Sequence, residues 1–190
     1  MKKIVTFALL AMILFLGGQP VSAQNSGALA LIIDHYAARN FLEGAIPAAD
    51  LDRIIQAGVR APSARNLQPW HFTVIQNQTL AKKLVSNNLD GNVIIVVSGP
   101  GDGKTNYVQI LDCALAVQSI YLAAQALGYG SRIYTNPIDS LNNSMKTELS
   151  LPAGYSAVAL IRVGKIQGGV DAVSSASSRK KVEDVVTYKR

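Results

Sequence analysis

Apolar residues recur along this chain with helical spacing in some segments and with the pattern of buried strands in others. Helical spacing follows Ser26 as far as Tyr36, and it resumes after Pro47, where Asp50 or a neighbour is the predicted cap. The predicted strands are rich in β-branched residues or continuously apolar, and they cover residues 71–75, 93–97, 131–135 and 157–163. Two shorter helices are predicted at residues 79–85 and 140–149. Because helices and strands alternate, the pattern predicts a layered fold that contains both.

The most distinctive predicted helix runs from Asn106 to Leu127 and has no broad polar face. A helix of this length that is apolar all round lies at the centre of a core or in a large interface. Gly128 and Gly130 are expected to end it. The segment after Gly168 is too small and polar to form a core of its own, so we expect it to wrap an existing surface, of this chain or of another subunit.

The N-terminus has the order of a secretory signal peptide. Lys2 and Lys3 precede an uncharged apolar run at residues 4–16, and the small residues at 21–23 form a cleavage signal. A membrane span needs about 20 apolar residues, so this run is too short to remain as a stable anchor. We therefore expect residues 1–23 to be removed and residues 24–190 to act as one exported domain, in the periplasm or outside the cell.

Composition excludes several classes of protein. Of the 190 residues, 49% are hydrophobic and only 16% are charged, which excludes intrinsic disorder as the main state. A single cysteine, Cys113, excludes an intramolecular disulfide, and with only two histidines, His35 and His71, a closed Cys/His zinc site is excluded as well. The net charge of +6 is not interleaved with aromatic residues, so no nucleic-acid partner is expected.

Three candidate chemistries are weak. Residues 98–105 resemble a phosphate loop, but Ser98 stands where the first glycine is needed, so a flexible loop with an exposed Lys104 is expected. No Gly-x-Ser-x-Gly elbow is present, and His71 lies in a strand pattern that favours a packed or hydrogen-bonded histidine over a base. Asp112 lies on the apolar helix and must be hydrogen-bonded if it is buried. Its expected role is to tie that helix to a neighbouring loop, and catalysis is the alternative.

The strongest motif is Ala-Pro-Ser-x-x-Asn-x-Gln-Pro-Trp at residues 61–70. Two prolines restrict the loop, Ser63, Asn66 and Gln68 offer short polar groups, and Trp70 offers an apolar anchor. This composition fits a packed structural turn, and it also fits recognition of a flat heterocycle edged with hydrogen-bond donors and acceptors.

The loop and its flanking segments resemble the FMN-dependent nitroreductase family. The resemblance covers nearly all of residues 24–190 in the order of the family. It is carried by Ala38-Arg-Asn-Phe41, Ile46-Pro47, the motif at residues 61–70, Asp112-x-Ala-x-Ala-x-Gln118, the segment from Leu122 to Ser131, and Leu151-Pro152.

The resemblance implies an α+β fold of three α/β/α layers, with a central mixed, mainly antiparallel sheet and a long buried helix at a dimer interface. It implies a homodimer with two FMN sites between the subunits. FMN would take two electrons from NADH or NADPH and pass them to a nitroaromatic, a quinone or a similar small aromatic acceptor in ping-pong order. An exported flavin-binding or carrier protein of the same fold, with little turnover, is the alternative.

The resemblance also implies which residues hold the cofactor. Arg39 matches a basic residue that stabilises the anionic reduced flavin, and Arg179 matches a basic residue that reaches the phosphate. His35 and Ala37 depart from the arginine and serine of the family, although Tyr36 could compensate. The implied cofactor-binding set is His35, Tyr36, Ala37, Arg39, Pro62, Ser63, Asn66, Gln68, Gly130, Ser131 and Arg179. Pro62, Ser63 and Asn66 would reach the flavin from the partner subunit, and neither a catalytic side chain nor a metal is implied.

Overall fold

The computed structural model of the protein describes residues 25–167 and 178–189. The predicted signal peptide at residues 1–23 and residues 168–177 lie outside the described residues. The helices are α1 (Asn25–Asp34), α2 (Ala48–Val59), α3 (Gln78–Leu84), α4 (Tyr107–Ala126) and α5 (Ile138–Ser144). The strands are β1 (Phe41–Leu42), β2 (His71–Ile75), β3 (Val93–Pro100), β4 (Gly130–Tyr134) and β5 (Tyr155–Ile166). Short 3₁₀ turns occur at Ala64–Asn66 and Val182–Asp184.

Strand β5 organises the sheet because it pairs with three other strands. It lies between β3 and β4, β2 flanks β3, and the two-residue β1 pairs with the end of β5. Every strand pairing in the described part of the chain is antiparallel, so the predicted mixed sheet contains no parallel pair there. A register shift between Val97 and Ser98 lets β3 continue to Pro100, beyond the end predicted from its apolar run.

Helices cover both faces of this sheet, which produces the three expected layers. Val93, Ile95 and Val97 of β3 face the cluster formed with α2 and α4, whereas Ile94 and Val96 face the cluster formed with α3 and α5. Because both faces of β3 are buried, its sequence is apolar without alternation. The expectation of an α+β fold of three layers is confirmed.

Helix α4 is buried along one side only. Its inner residues pack on β3 and β5, and Cys113, Ala116 and Ile120 are fully buried. On its outer side, Leu111 is 57% exposed and Leu115 is 37% exposed. By length and composition α4 could cross a membrane, but its inner side belongs to the main core of the domain. Its outer side is an apolar surface that nothing in a single copy covers within the described residues.

Several element boundaries differ from the predicted ones because tertiary contacts decide them. Helix α1 ends at Asp34, before Tyr36. The predicted helix at 140–149 begins at Ile138 and ends at Ser144, where Asn142 exchanges hydrogen bonds with the backbone of Ala157 on β5. Helix α2 has Pro47 at its N-cap and no side-chain cap. The predicted cap Asp50 lies inside the first turn of that helix and accepts a hydrogen bond from Tyr129 instead.

Candidate functional site

The end of α1 and the start of β4 meet at the C-terminal end of α4. Gln125 joins them, because its side-chain oxygen accepts from the Tyr36 amide at 3.3 Å while its Nε2 donates to the Tyr36 carbonyl at 3.0 Å and to Ser131 Oγ at 2.9 Å. Ser131 Oγ donates to the carbonyl of Tyr121, and the Ala38 amide donates to the carbonyl of Ser131. The structure therefore brings the predicted site residues Tyr36 and Ser131 together.

His35 and Arg179 lie at this same end of the molecule. The ring of His35 packs edge-on against the ring of Tyr121, and its Nδ1 lies 2.5 Å from the carbonyl oxygen of Ile32. Burial raises the pKa of Tyr121, whereas the hydrogen bond to Gln125 and the nearby positive charge of Arg179 act in the opposite direction. Arg179 thus lies within electrostatic reach of Tyr121, close to the end of α1.

An open groove of about 880 Å³ lies between α1 and the end of α4, and His35, Tyr36 and Gln125 line it. Its volume falls in the range of about 300–1,000 Å³ found for small-molecule sites. Tyr129 forms part of the wall and donates to Asp50 Oδ2 at 2.6 Å, which raises the pKa of Tyr129 to about 12. This contact ties α2 to the end of α4 beside the groove.

The chain between α1 and β1 is extended and alternates between exposed and buried positions. Ala37 and Arg39 are exposed, and Ala38 between them is fully buried. Gly130 lies against this segment, and a Cβ atom there would come within 2.8 Å of Ala38 Cβ and 2.3 Å of Ile166. Gly130 is therefore required for close packing of β4, and Gly130 itself can offer only backbone groups to a ligand.

The predicted loop at residues 61–70 has a strained backbone and lies near the N-terminal end of α4, away from this groove. Arg65, Asn66 and Gln68 have φ angles of 53°, 55° and 48°, in the left-handed region that non-glycine residues rarely adopt. Ser63 Oγ accepts from the Gln68 amide at 3.0 Å, and Gln68 Nε2 donates to the Asn66 carbonyl at 3.3 Å. Pro62, Asn66 and Gln68 are exposed. Backbone strain of this kind concentrates at functional sites.

Asp112 anchors this loop to α4. It is 3% exposed, and its Oδ1 accepts a hydrogen bond from the Ala64 amide at 2.9 Å. The predicted tie between the helix and a neighbouring loop is confirmed. Asp112 Oδ2 is buried and has no hydrogen-bond partner among the described residues. Beside it, burial and the Asp112 charge raise the pKa of the Cys113 thiol to about 11, so Cys113 is a neutral core residue.

The two groups of predicted site residues lie at opposite ends of α4. Asp112 and Gln125 are thirteen positions apart on this helix, which corresponds to about 20 Å along its axis. The structure brings His35, Tyr36, Ser131 and Arg179 to one end and leaves the 61–70 loop at the other. Gln125 was missed at the sequence level, although a lone amide near the end of an apolar helix could have indicated it.

The remaining candidate chemistries receive no support from the described residues. Lys104 is exposed, as predicted, and pairs with Asp139 at 2.9 Å. The backbone amides of Lys104 and Thr105 already donate to Asp102, so they are not available to a phosphate. His71 is exposed and meets Tyr155 edge-on rather than lying in the core. The described residues contain no group of three or more potential metal ligands.

Comparison with known proteins shows the family of this chain. The family model described as "Nitroreductase family" matches residues 32–94 and 86–165, which includes α4 and the 61–70 loop. The chain belongs to the nitroreductase family. The match spans both groups of predicted site residues except for Arg179, which lies beyond its end.

Individual relatives and solved structures agree with this assignment. A protein of Archaeoglobus fulgidus, named for NADH dehydrogenase and NAD(P)H nitroreductase activity, is 28% identical over 145 residues, or 72% of this chain and 83% of the relative. A nitroreductase from Desulfovibrio desulfuricans, crystallised in complex with FMN, has a TM-score of 0.70 at 27% identity and covers 85% of this chain and 96% of its own. An FMN-bound nitroreductase from Bacteroides fragilis has the same fold, with a TM-score of 0.70 at 21% identity over 85% of this chain and 98% of its own.

Proposed function

We propose that this member of the nitroreductase family is an FMN-dependent oxidoreductase. It would pass two electrons from NADH or NADPH to a nitroaromatic, a quinone or a similar small aromatic acceptor in ping-pong order. The observation that carries the proposal is that both groups of residues predicted to bind the cofactor are folded units at the two ends of α4. The names of the A. fulgidus relative and of the D. desulfuricans structure support the nicotinamide donor and the flavin.

The residues present fit FMN. Arg39 and Arg179 offer guanidinium groups of the kind that binds phosphate and stabilises anions, and the groove beside His35 and Tyr36 is large enough for a small molecule. The loop adds the amide groups of Asn66 and Gln68. When bound, FMN supplies the hydride and electron chemistry, and the protein supplies binding, orientation and electrostatics.

Each part of the chain then has a defined task. Arg179 would hold the phosphate, and Arg39 would stabilise negative charge on the reduced ring. The buried hydroxyl of Ser131 and the amide of Gln125 would hold the α1 end against β4, so that the cofactor meets a rigid wall. No acid or base from the protein is assigned.

A homodimer would complete the site. The outer side of α4 exposes Leu111 and Leu115, and α1 exposes Ile32 and Ile33 at 53% and 68%. Exposed apolar residues that recur along one side of a helix, unlike scattered ones, indicate an interaction site. If the α4 helices of two copies packed against each other in opposite directions, the 61–70 loop of one copy would meet the α1 end of the other. Two sites per dimer would result.

An exported flavin-binding or carrier protein with little turnover is the second candidate. It is favoured by His35, because the Nδ1 of this residue is already engaged by its own helix at Ile32 and cannot act as a guanidinium fork. Export itself is proposed from residues 1–23 alone, and in that setting nicotinamide donors would be scarce. Turnover therefore separates the two candidates.

The test is the absorption spectrum of the purified protein, residues 24–190, after incubation with FMN and gel filtration. We expect the protein to retain a flavin spectrum that bleaches when NADH or NADPH is added without oxygen and returns when a quinone or nitroaromatic is added. Retention without bleaching by either donor would establish the carrier instead. Failure to retain FMN would contradict both.

A further inference from the structure

The turn at Ala64–Asn66 needs support from outside itself. Arg65, Asn66 and Gln68 hold left-handed backbone angles that are unfavourable for residues with a Cβ atom. Such a conformation persists only when surrounding contacts over-determine it. The loop's own hydrogen bonds run from the Gln68 amide to Ser63 Oγ, from Gln68 Nε2 to the Asn66 carbonyl, and from the Asn66 and Leu67 amides to the carbonyls of Ser63 and Ala64. Both bonds that involve a side chain are at the surface.

Asp112 supplies that outside support. Among the described residues, it is the one side chain from another element with a recorded hydrogen bond to residues 63–68, through Oδ1 and the Ala64 amide at 2.9 Å. The bond meets the turn at its first residue, immediately before Arg65 and Asn66. A carboxylate forms a stronger hydrogen bond with an amide than a neutral acceptor does.

Burying the Asp112 carboxylate costs folding free energy, so its benefit lies in the geometry of the turn and not in stability. Asp112 is buried, and its Oδ2 makes no hydrogen bond to the described residues. A buried carboxylate with an unsatisfied oxygen costs free energy relative to an apolar residue of the same size. The compensation lies in the conformation of the turn that Oδ1 holds.

We propose that Asp112 is a positioning residue for cofactor binding, which acts by holding the strained turn so that Asn66 and Gln68 project toward the flavin. This inference rests on the proposed function. Asp112 is buried beneath the loop, so it does not contact the cofactor itself and acts on it only by holding the turn. Loss of the Oδ1 bond frees Arg65, Asn66 and Gln68 to leave the left-handed region, and the polar groups of the loop lose their fixed positions.

The experiment compares Asp112→Ala and Asp112→Asn with Asp102→Ala. The asparagine keeps an acceptor at Oδ1, and Asp102 is an exposed carboxylate in a different loop, bonded to Thr105. Hydrogen exchange is measured on the flavin-free protein, and FMN affinity by titration. We expect exchange at residues 64–68 to rise about tenfold in Asp112→Ala, with residues 93–97 unchanged, and FMN affinity to fall about tenfold. Asp112→Asn and Asp102→Ala should stay within about threefold of the parent protein.

A second variant removes the same bond from the other side. Ala64→Pro deletes the amide donor, and the extended Ser63, at φ −145° and ψ 154°, suits a residue before proline. It should reproduce the loop exchange and the affinity loss of Asp112→Ala, and it decides the question if Asp112→Ala does not fold.

The outcomes separate this inference from the proposed function. If the parent protein does not bind FMN, the proposed function fails, whatever the loop does. If the parent protein binds FMN and the variants loosen the loop without losing affinity, the positioning role fails alone. Unchanged exchange at residues 64–68, or an equal rise in residues 93–97, would also overturn it, because Asp112 would then be either irrelevant to the turn or a general stabiliser.

Discussion

At the scale of single residues, the anion-binding capacity of this chain rests on few groups. His35 and Ala37 occupy positions where the family pattern has arginine and serine. His35 is engaged by Ile32, and Ala37 offers only a methyl group. In the proposed site, Arg179 would therefore carry more of the phosphate interaction than it would with a complete set of partners, and its charge acts on Tyr121 at this end of the molecule.

Replacing Arg179 by alanine should weaken FMN binding through the phosphate alone. A charge-assisted contact is worth about 1.5–3 kcal/mol, so the dissociation constant for FMN should rise at least about tenfold. Riboflavin, which lacks the phosphate, should bind with unchanged affinity in the same fluorescence titration. Lys180→Ala, one position along the same exposed segment, is the matched control. An equal loss for riboflavin and FMN would refute the phosphate role.

At the scale of elements, α4 performs two tasks with two sides. Its inner side holds the sheet and, through Asp112 and Gln125, anchors the loop at one end and the α1 segment at the other. Its outer side is the apolar surface that includes Leu111 and Leu115. The α4 sequence has no broad polar side because its inner side packs in the core and its outer side is also apolar.

Leu115→Glu should disrupt the proposed dimer and, with it, the proposed flavin sites. Burial of a leucine contributes about 1.5–3 kcal/mol, so the dimer dissociation constant should rise at least about tenfold, as measured by sedimentation. Val74→Glu is the matched control, because Val74 has the same 37% exposure but lies on β2. If Leu115→Glu stays dimeric at the concentration where the parent protein does, α4 is not the interface.

Local pattern was sufficient to predict the interior elements. Strand β2 and the beginning of β3 follow from β-branched and apolar runs, and the length of α4 follows from apolar residues that leave no broad polar face. The two-residue strand β1 could not be predicted, because it exists only through pairing with β5. Helix α5 also differs from its predicted bounds, and the bonds between Asn142 within it and Ala157 of β5 are contacts that no local pattern contains.

The resemblance identified the motifs and implied that the loop reaches the flavin from a partner subunit, but it did not give the contacts that hold each motif within one chain. The family resemblance pointed to the loop and to the α1 end as separate stretches of sequence. The left-handed angles of Arg65 and Gln68, residue types that rarely adopt them, became visible only in the structure. The roles of Gln125 and Tyr121 depend on the docking of α1 onto α4, which is a tertiary event.

At the scale of the whole molecule, the proposed flavin site requires two copies of the chain. A single copy holds the loop and the basic groups about 20 Å apart along α4, so neither end alone forms the proposed flavin site. Two copies related by a twofold axis would place unlike ends together twice, because an isologous interface repeats each contact. The proposed export of residues 24–190 adds no residue to this arrangement.

The most direct measurement is FMN binding by a mixed dimer with a different defect in each chain. One chain carries Arg39→Ala and Arg179→Ala, and the other carries Asn66→Gly and Gln68→Gly, since glycine tolerates the left-handed backbone. With two affinity tags the mixed dimer can be isolated and titrated calorimetrically. We predict that the homodimer of each variant chain binds FMN at least about tenfold more weakly than the unmodified protein. The mixed dimer should bind one FMN per dimer with the affinity of the unmodified protein, because one of its sites has no defect. A mixed dimer that binds no better than either homodimer would contradict a site shared between two chains.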